Sequence, residues 1–187
     1  MVSMLEQKMF SANDPRAVYF RALKRRMRRS EQLLCSEVKM PLTYRVMTED
    51  ATDHKPVTGD TSSKLGVRDS DLNIDHSGNA LPGTGGTSVI EPMPGLKIRL
   101  QSMSPSMVPR RLHDNGRIAG ASGSNSRRVF RIGAGAWVTG NLTTNLKVVP
   151  DADHHGTIQP DSRMPMEDYR TAIKATRGDW TDGEGDI

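Results

Sequence analysis

The sequence has few of the residues that crosslink a protein, anchor it in a membrane or fill a large core. It contains one cysteine, Cys35, which excludes an intramolecular disulfide and a cysteine-based zinc site and fits a reducing compartment. Aromatic residues make up only 4% of the 187 residues and hydrophobic residues 35%, so the core must be small. No apolar run approaches the length of a membrane span, and the amino terminus lacks the apolar region of a secretory signal. We therefore expect a cytoplasmic protein that does not enter a membrane.

Positive and negative charges are concentrated in different parts of the chain, whose net charge is +4. Basic residues crowd one short segment among good helix formers: Arg21, Lys24, Arg25, Arg26, Arg28 and Arg29. The segment predicts a helix with a wide cationic face, which is either a targeting or polyanion-binding element or a solvated surface helix. We favour the solvated helix. Because only Tyr19 and Phe20 offer a stacking surface there, nucleic-acid binding is the minority interpretation.

Composition divides the chain into an extension, a central domain and a tail. Residues 1–40 are predicted to be a basic extension, largely helical or disordered, and residues 41–177 the folded domain. Residues 101–128 are rich in proline, glycine and serine and are predicted to be a flexible insertion that the fold does not need. Residues 178–187 are acidic and are predicted to be a disordered tail with Trp180 exposed.

Short runs of β-branched and aromatic residues alternate with turn-forming residues through the central domain. They predict strands at 42–47, 87–90, 129–132, 136–138, 146–149 and 156–158. A long polar loop is predicted at 49–81. Met166, Tyr169 and Ile173 recur at helical spacing and predict a core-facing helix at about 166–177, and Trp137 is a further core candidate. The order of these elements predicts an α+β domain on a small, antiparallel-rich sheet.

The glycine-rich stretch at 83–89, Gly-Thr-Gly-Gly-Thr-Ser-Val, is the most informative local motif. Glycine permits backbone conformations with positive φ and leaves the main chain bare, so Gly85 and Gly86 can approach a phosphate or a sugar closely. Thr87 and Ser88 then offer neighbouring hydroxyls at the edge of a strand. Taken alone, such a stretch is usually a tight surface turn whose hydroxyls bind the backbone.

Four motifs in a fixed order carry a resemblance to a known family. They are Tyr44-Arg45, the stretch 83–89, Leu146-Lys147-Val148, and His155-Gly156-Thr157-Ile158-Gln159-Pro160 followed by Met166 and Tyr169. With these motifs the chain resembles the Tse-two effectors of type VI secretion, cytotoxins with an ADP-ribosyltransferase-like fold, and their homologues outside those secretion systems. The resemblance runs from about Leu42 to Ala175 and is interrupted by residues 101–128. Residues 1–40 have no counterpart in it.

The resemblance implies an ADP-ribosyltransferase-like fold of the α+β class and a site that uses NAD to act on an intracellular target. It puts Arg45 where the family has a strand arginine, Thr87 and Ser88 on a hydroxyl pair linked to toxicity, and His155 on a functional histidine. The catalytic candidates are therefore Thr87, Ser88 and His155, and the candidates for binding NAD are Arg45, Gly85, Gly86, Thr87 and Ser88. The resemblance also implies an immunity or antitoxin partner, an unknown macromolecular acceptor and delivery into a target cell.

The chemistry of these residue types suits NAD, but one group of standard ADP-ribosyltransferases is absent. A strand arginine suits the diphosphate, and a neutral His155 suits a hydrogen bond to the ribose or proton abstraction from the incoming nucleophile. Standard transferases keep a glutamate beside the last strand, whereas the nearest acids here are Asp151, Asp153 and Asp161. An enzyme and a binding module without turnover both stay open. We predict no metal site, because neighbours such as His154 and His155 point to opposite faces of a strand.

Overall fold

A computed structural model describes residues 39–187 of the protein. The basic segment around Arg25, and all but the last two residues of the predicted extension, lie outside the described residues. Within residues 39–187, no helix has both the length and the apolar character needed to cross a lipid bilayer.

Antiparallel strands form the centre of the described region. The strands are β1 (Thr43–Thr48), β2 (Asn79–Ala80), β3 (Thr87–Ile90), β4 (Arg127–Ile132), β5 (Gly140–Asn141), β6 (Leu146–Ala152), β7 (His155–Pro160), β8 (Met164–Pro165) and β9 (Thr181–Asp182). Seven of these strands make one sheet in the order β5-β6-β7-β3-β1-β4-β9, and β2 pairs separately with β8. All the pairings between these strands are antiparallel.

A few helices accompany the sheet in the described part of the chain. The α-helices are α1 (Gly95–Ser102), α2 (Arg110–Asp114) and α3 (Met166–Ala175). Short 3₁₀ turns occur at Asp69–Asp71, Pro105–Met107, Thr176–Asp179 and Glu184–Asp186. This combination of a curled antiparallel sheet with a few helices confirms the predicted α+β class.

Each face of the large sheet carries its own hydrophobic cluster, because successive side chains of a strand point to opposite faces. On one face, Met47 and Val89 cluster with Tyr169 of α3, and we call this side the α3 face. On the other, Ile90 clusters with Leu96 of α1, and we call this side the α1 face. Membership of one cluster or the other therefore shows which face each strand residue occupies.

The structure confirms most of the predicted strands and the last helix. Five predicted strands coincide with β1, β3, β4, β6 and β7, and the predicted helix coincides with α3, whose three predicted core residues are buried. The predicted strand at 136–138 is wrong. Gly133 has a φ of 82°, a conformation that suits glycine, and the N–H groups of the next two residues donate to the carbonyl of Met40. Residues 136–138 pair with no strand, and Val138 is exposed. Trp137 is half-buried and packs against the α3-face cluster.

Residues 101–128 belong to the fold, contrary to the prediction of a flexible insertion. Val108, Leu112 and Ile118 are almost fully buried in the α1-face cluster. The N–H of Gly123 donates to the carbonyl of Val108 at 2.8 Å, which fastens the glycine- and serine-rich run to the preceding segment. The prediction gave too much weight to glycine and serine, and too little to three apolar side chains that complete a core.

The acidic tail is also part of the fold. Trp180 is predicted to be exposed, yet 0% of its surface is accessible, and the next two residues pair with β4 as β9. Glu184 forms an ion pair with Arg111, and Asp186 forms one with Arg131 at 2.9 Å. The prediction of a disordered tail is wrong because it considered the charges of the tail without the cations that pair with them.

Candidate functional site

The register of the strands brings Ser88 and His155 onto the same face of the sheet. β3 pairs with β7 so that Ile90 lies opposite His155 and Ser88 lies opposite Thr157. Side chains that lie directly opposite each other in an antiparallel pair share a face, and alternate residues along one strand also share a face. Ser88, Thr157 and His155 therefore lie on the α1 face with Ile90, where apolar side chains give way to polar ones.

The Ser88 hydroxyl, the His155 imidazole and the Asp151 carboxylate are linked by hydrogen bonds, and we call them the Ser88–His155–Asp151 triad. Ser88 Oγ lies 2.7 Å from His155 Nε2, and His155 Nδ1 lies 2.6 Å from Asp151 Oδ1. An ionised carboxylate only accepts hydrogen bonds, so Nδ1 carries a hydrogen and donates it to Asp151. In the neutral ring, Nε2 is then the acceptor for the O–H of Ser88.

The hairpin between β6 and β7 positions Asp151 beside His155. Its register shifts between Pro150 and Ala152, and the chain turns immediately before β7. His154, in this turn, has a φ of 59°, which is uncommon for a residue other than glycine. The irregular end of the hairpin lets the carboxylate contact the imidazole four residues later in the chain.

The neighbouring His154 contacts a different carboxylate. Its Nδ1 lies 2.5 Å from Glu91 Oε2, in the segment that follows β3. No hydroxyl group among residues 39–187 hydrogen-bonds to His154, so this pair has no nucleophile beside it. Nor is any group of three or more histidine, cysteine, aspartate or glutamate side chains in this range arranged to hold a metal ion. The two adjacent histidines thus make two separate histidine–carboxylate pairs.

The structure separates Thr87 from Ser88. Thr87 lies on the α3 face, is 1% exposed, and donates its hydroxyl to the carbonyl of Gly66 at 3.1 Å. Its N–H donates to Tyr169 Oη at 3.3 Å, and the Tyr169 O–H donates to the carbonyl of Ile158 at 2.6 Å. Burial raises the pKa of Tyr169 to about 12, so this hydroxyl stays a donor at neutral pH. Thr87 holds the sheet together and does not share a site with Ser88.

Gly85 and Gly86 make room for the protein's own backbone. A Cβ at Gly86 would lie 2.1 Å from the carbonyl oxygen of Ile158, and one at Gly85 would lie 2.2 Å from that of Asp71. Gly86 has a φ of 152° and donates its N–H to the carbonyl of Asp71 at 2.8 Å. Both glycines are therefore required by packing within the protein, and Gly86 also lines the cavity beside Ser88.

Arg45 is a buried cation whose guanidinium hydrogen-bonds to backbone carbonyls. Its position in β1 is on the α3 face, and the residue is 6% exposed. The guanidinium donates to the carbonyls of Ser88, of Ser62 at 3.3 Å and of Lys64 at 3.4 Å. Burial lowers the pKa of Arg45 to about 10, which leaves it charged at neutral pH. Arg45 thus reaches the site through the backbone of Ser88 and, contrary to the expectation, is not brought together with His155.

A cavity of about 250 Å³ lies beside Ser88 and carries positive charge. The arginines in its wall are Arg45, Arg68, Arg99 and Arg127. Arg68 is paired with Asp71 at 2.6 Å, whereas neither Arg99 nor Arg127 has a carboxylate partner within residues 39–187. Arg127 donates to the carbonyl of Ser106 at 3.0 Å, which fixes its guanidinium in place. Two guanidinium groups without carboxylate partners make this cavity a candidate site for an anion.

Three residues of this site have roles that the sequence did not predict. The sequence predicts Asp151 only as one of several acids near His155. A carboxylate and a histidine on the two sides of a tight turn are a pattern that could have indicated their contact. Arg99 and Arg127 gave no comparable signal. Helix α1, which carries Arg99, was not predicted, and Arg127 is distant in sequence from Ser88.

Comparisons with protein-family models, with curated proteins and with solved structures gave no match to this chain. The resemblance to the Tse-two effectors therefore rests on the sequence motifs alone. The geometry of the site comes from the structure and does not use the resemblance. Ser88 and His155 are selected by both, by the motifs as site residues and by the structure as a contacting pair.

Proposed function

We propose that this protein is a cytotoxic effector-like protein of the Tse-two type, with an ADP-ribosyltransferase-like fold and a site that binds NAD inside a cell. The observation that carries the proposal is the 2.7 Å contact between Ser88 Oγ and His155 Nε2, which joins residues 67 positions apart. The resemblance selects both residues without any knowledge of the fold. Their contact beside a cationic cavity supports a shared functional role.

His155 is the proposed general base. Asp151 accepts the hydrogen of Nδ1, so Nε2 presents its lone pair on the side of Ser88. Cleavage of the bond between nicotinamide and ribose builds oxocarbenium character, and hydrogen bonds to the 2-hydroxyl of the ring strengthen in such a transition state. In this proposal Ser88 bonds to the ribose and His155 accepts the proton of the incoming nucleophile.

We assign the diphosphate of NAD to Arg99 and Arg127 instead of Arg45. A guanidinium binds phosphate oxygens through two parallel hydrogen bonds, and these two lack carboxylate partners within residues 39–187. Arg45 supports the site indirectly, because its hydrogen bond to the Ser88 carbonyl holds the strand from which Ser88 projects. The proposed partners are a macromolecular acceptor of ADP-ribose and an immunity protein that blocks the cavity.

A binding module without turnover is the second candidate, and the carboxylates favour it. Asp151 is the carboxylate that contacts His155, and it already accepts a hydrogen bond from His155 Nδ1. Within residues 39–187, no glutamate hydrogen-bonds to Ser88 or His155. The catalytic glutamate of standard ADP-ribosyltransferases thus has no counterpart in contact with the triad.

Inducible expression in a bacterial host tests the proposal. Growth and cellular NAD are followed together for the wild-type protein and for His155→Ala. We expect the wild type to arrest growth and to lower NAD, and His155→Ala to do neither while accumulating to the same level. His154→Asn is the matched control, because it removes the adjacent histidine with its separate carboxylate and should leave toxicity intact. Arrest that persists in His155→Ala contradicts the proposal.

Calorimetry with NAD and an assay for free nicotinamide distinguish the enzyme from the module. Binding accompanied by release of nicotinamide supports the enzyme, and binding without release supports the module. If NAD does not bind and no nicotinamide is released, the protein has no role at NAD, and the proposal is rejected.

A further inference from the structure

We propose that Ser88 is an activated nucleophile that is acylated by carboxylic esters with an anionic acyl group, an activity that does not involve NAD. The Ser88–His155–Asp151 triad has the arrangement that activates a serine: hydroxyl on one ring nitrogen, carboxylate on the other. The distances of 2.7 Å and 2.6 Å are those of formed hydrogen bonds. The chain order Ser88, Asp151, His155 is also the order of the triad in α/β-hydrolases, and such triads are recognised by geometry and roles on unrelated folds.

Proton positions in the triad favour attack by Ser88. Asp151 accepts the Nδ1 hydrogen and so fixes the tautomer in which Nε2 is unprotonated. The O–H of Ser88 therefore points to Nε2, which is ready to take its proton as the oxygen attacks. Asp151 is a positioning residue in this scheme, since it acts on Ser88 only through His155.

The framework around Ser88 holds the nucleophile in place. β3 lies between β1 and β7 in the sheet, and Ser88 itself pairs with Thr157 of β7, whereas β1 pairs with β3 at Ile90. Arg45 donates a further hydrogen bond to the Ser88 carbonyl from the opposite face. A nucleophile on a paired central strand loses little additional freedom on reaching its reactive geometry.

The cavity beside Ser88 indicates the class of electrophile. Ile90, Met103 and Met107 give it apolar walls, and Arg99 and Arg127 give it positive charge. A short aliphatic acyl chain that ends in a carboxylate matches both kinds of wall.

The proposed reaction is the hydrolysis of an ester through an acyl-enzyme. Ser88 Oγ bonds to the carbonyl carbon while its proton passes to His155 Nε2, and the imidazolium then protonates the departing alkoxide as the ester C–O bond breaks. Water next attacks the acyl-serine, gives a proton to Nε2, and releases the carboxylic acid as Ser88 Oγ regains that proton. Ester and water are consumed, and acid and alcohol are formed, with no change in oxidation state.

The test uses the full chain without NAD and two para-nitrophenyl esters, the anionic half ester of glutaric acid and the neutral ester of butyric acid. We expect nitrophenolate release from the anionic ester, and labelling of Ser88 by phenylmethanesulfonyl fluoride located by peptide mass spectrometry. Ser88→Ala and His155→Gln should abolish both. Arg99→Gln should raise KM for the anionic ester about tenfold and leave the neutral ester unaffected, as expected for loss of one charged contact.

Asp151→Asn separates positioning from structure. It should lower kcat about 100-fold, as loss of a correctly oriented base does, and should remove the low-field proton NMR signal of the His155 Nδ1–H. Ser88→Ala should retain that signal. His154→Asn is one control, and Ser77→Ala, which changes an exposed serine in the turn before β2, is another; both should keep full activity and labelling. Circular dichroism verifies that each variant is folded.

The inference is overturned if a folded wild-type protein leaves Ser88 unlabelled and releases no nitrophenolate. It is equally overturned if Ser88 reacts at the same rate in wild type and His155→Gln, because the base would then play no part. Neither result depends on NAD, so a failure here and a failure of the proposed toxin function are separate outcomes.

Discussion

The α3 face and the α1 face of the sheet use the same strands but treat their polar groups differently. On the α3 face, Thr87, Tyr169 and Arg45 each hydrogen-bond to backbone carbonyls and are buried. On the α1 face, Ser88 and His155 hydrogen-bond to each other beside a cavity. The polar groups of the α3 face therefore stabilise the sheet, while those of the α1 face are available for chemistry. Substitutions on the two faces should therefore affect different measurements.

Gly86→Ala should cause the largest loss of stability. The substitution combines a φ of 152° with a Cβ placed 2.1 Å from the carbonyl oxygen of Ile158. We expect the free energy of unfolding to fall by about 4 kcal/mol, measured by urea denaturation. Gly59→Ala is the matched control, because it has the same φ but the atoms nearest to its new Cβ belong to the flexible side chain of Lys64. Equal losses in the two variants would show that packing against β7 contributes nothing.

Arg45→Met should have the next largest effect on stability. The change leaves the carbonyls of Ser88, Ser62 and Lys64 without the guanidinium that they share. We expect a loss of about 3 kcal/mol in the free energy of unfolding, because buried acceptors lose their donor. Arg99→Met is the control and should change stability by less than about 0.5 kcal/mol. A stable Arg45→Met protein that no longer binds NAD would restore Arg45 as a ligand.

Thr87→Val should cost about 2 kcal/mol of stability, because it leaves the carbonyl of Gly66 unpaired in a buried place. The isosteric valine keeps the packing, so thermal or urea unfolding reports mainly the lost hydrogen bond. In the same variant, the reactivity of Ser88 should be unchanged. A variant with wild-type stability and no activity would place Thr87 in the functional site after all.

Alkaline pH should destabilise the protein through Tyr169. Burial raises the pKa of Tyr169 to about 12, from 10.0 for the unperturbed side chain. Folding therefore favours the protonated phenol, and the stability it contributes is complete below pH 10 and is lost as the pH rises toward 12. Between pH 10 and 11 the expected loss is about 1 kcal/mol. In urea unfolding at several pH values, Tyr169→Phe should show a smaller loss over this interval. An identical pH profile would exclude Tyr169 as the cause.

Tyr44 is the corresponding tyrosine of the α1-face cluster, and its pKa is also raised to about 12, mainly by burial and then by its hydrogen bond to Asp186. Tyr44→Phe should therefore reduce the alkaline loss as well. The two substitutions should add, since the tyrosines lie in different clusters.

Ser88→Ala should have the smallest effect on stability, within about 0.5 kcal/mol, because the side chain is exposed and no buried group depends on it. Its effect on the two proposed activities should be the largest, with loss of toxicity and of the reaction with sulfonyl fluoride. Measuring unfolding and activity on the same preparation checks both expectations. A marked loss of stability would remove the distinction between the two faces.

Local patterns in the sequence were sufficient to predict much of the sheet. Runs of β-branched residues marked five strands, and a period of two along 87–90 implies that Thr87 and Ser88 face opposite ways. The sequence could not show which of them faces the core, because that depends on what packs on each side. The contact between Ser88 and His155 likewise requires β3 to pair with β7, and nothing local specifies that pairing.

The wrong predictions of burial and secondary structure share a physical cause: tertiary contacts, and not local composition, determine which of these residues are buried. Helix α1 buries Leu96 and Leu100, but Ile98 on its exposed side obscures the periodicity. Trp180 is enclosed although acidic residues surround it in sequence. Arg45 is buried although arginine is usually exposed, because three backbone carbonyls converge on it.

The strand order has a consequence for how quickly the protein folds. β1 occupies an interior position of the sheet, yet Thr43 pairs with Ile132, about 90 residues later in the chain. Such distant pairings must overcome the entropy of closing long loops before their contacts form, so folding should be slow compared with that of a simple hairpin. Ser88 and His155 are themselves 67 residues apart. At about 5–20 residues per second, a ribosome needs roughly 3–13 s to add that length. Several seconds therefore pass between the synthesis of Ser88 and that of His155, and the contact between them cannot form until most of the sheet has been synthesised.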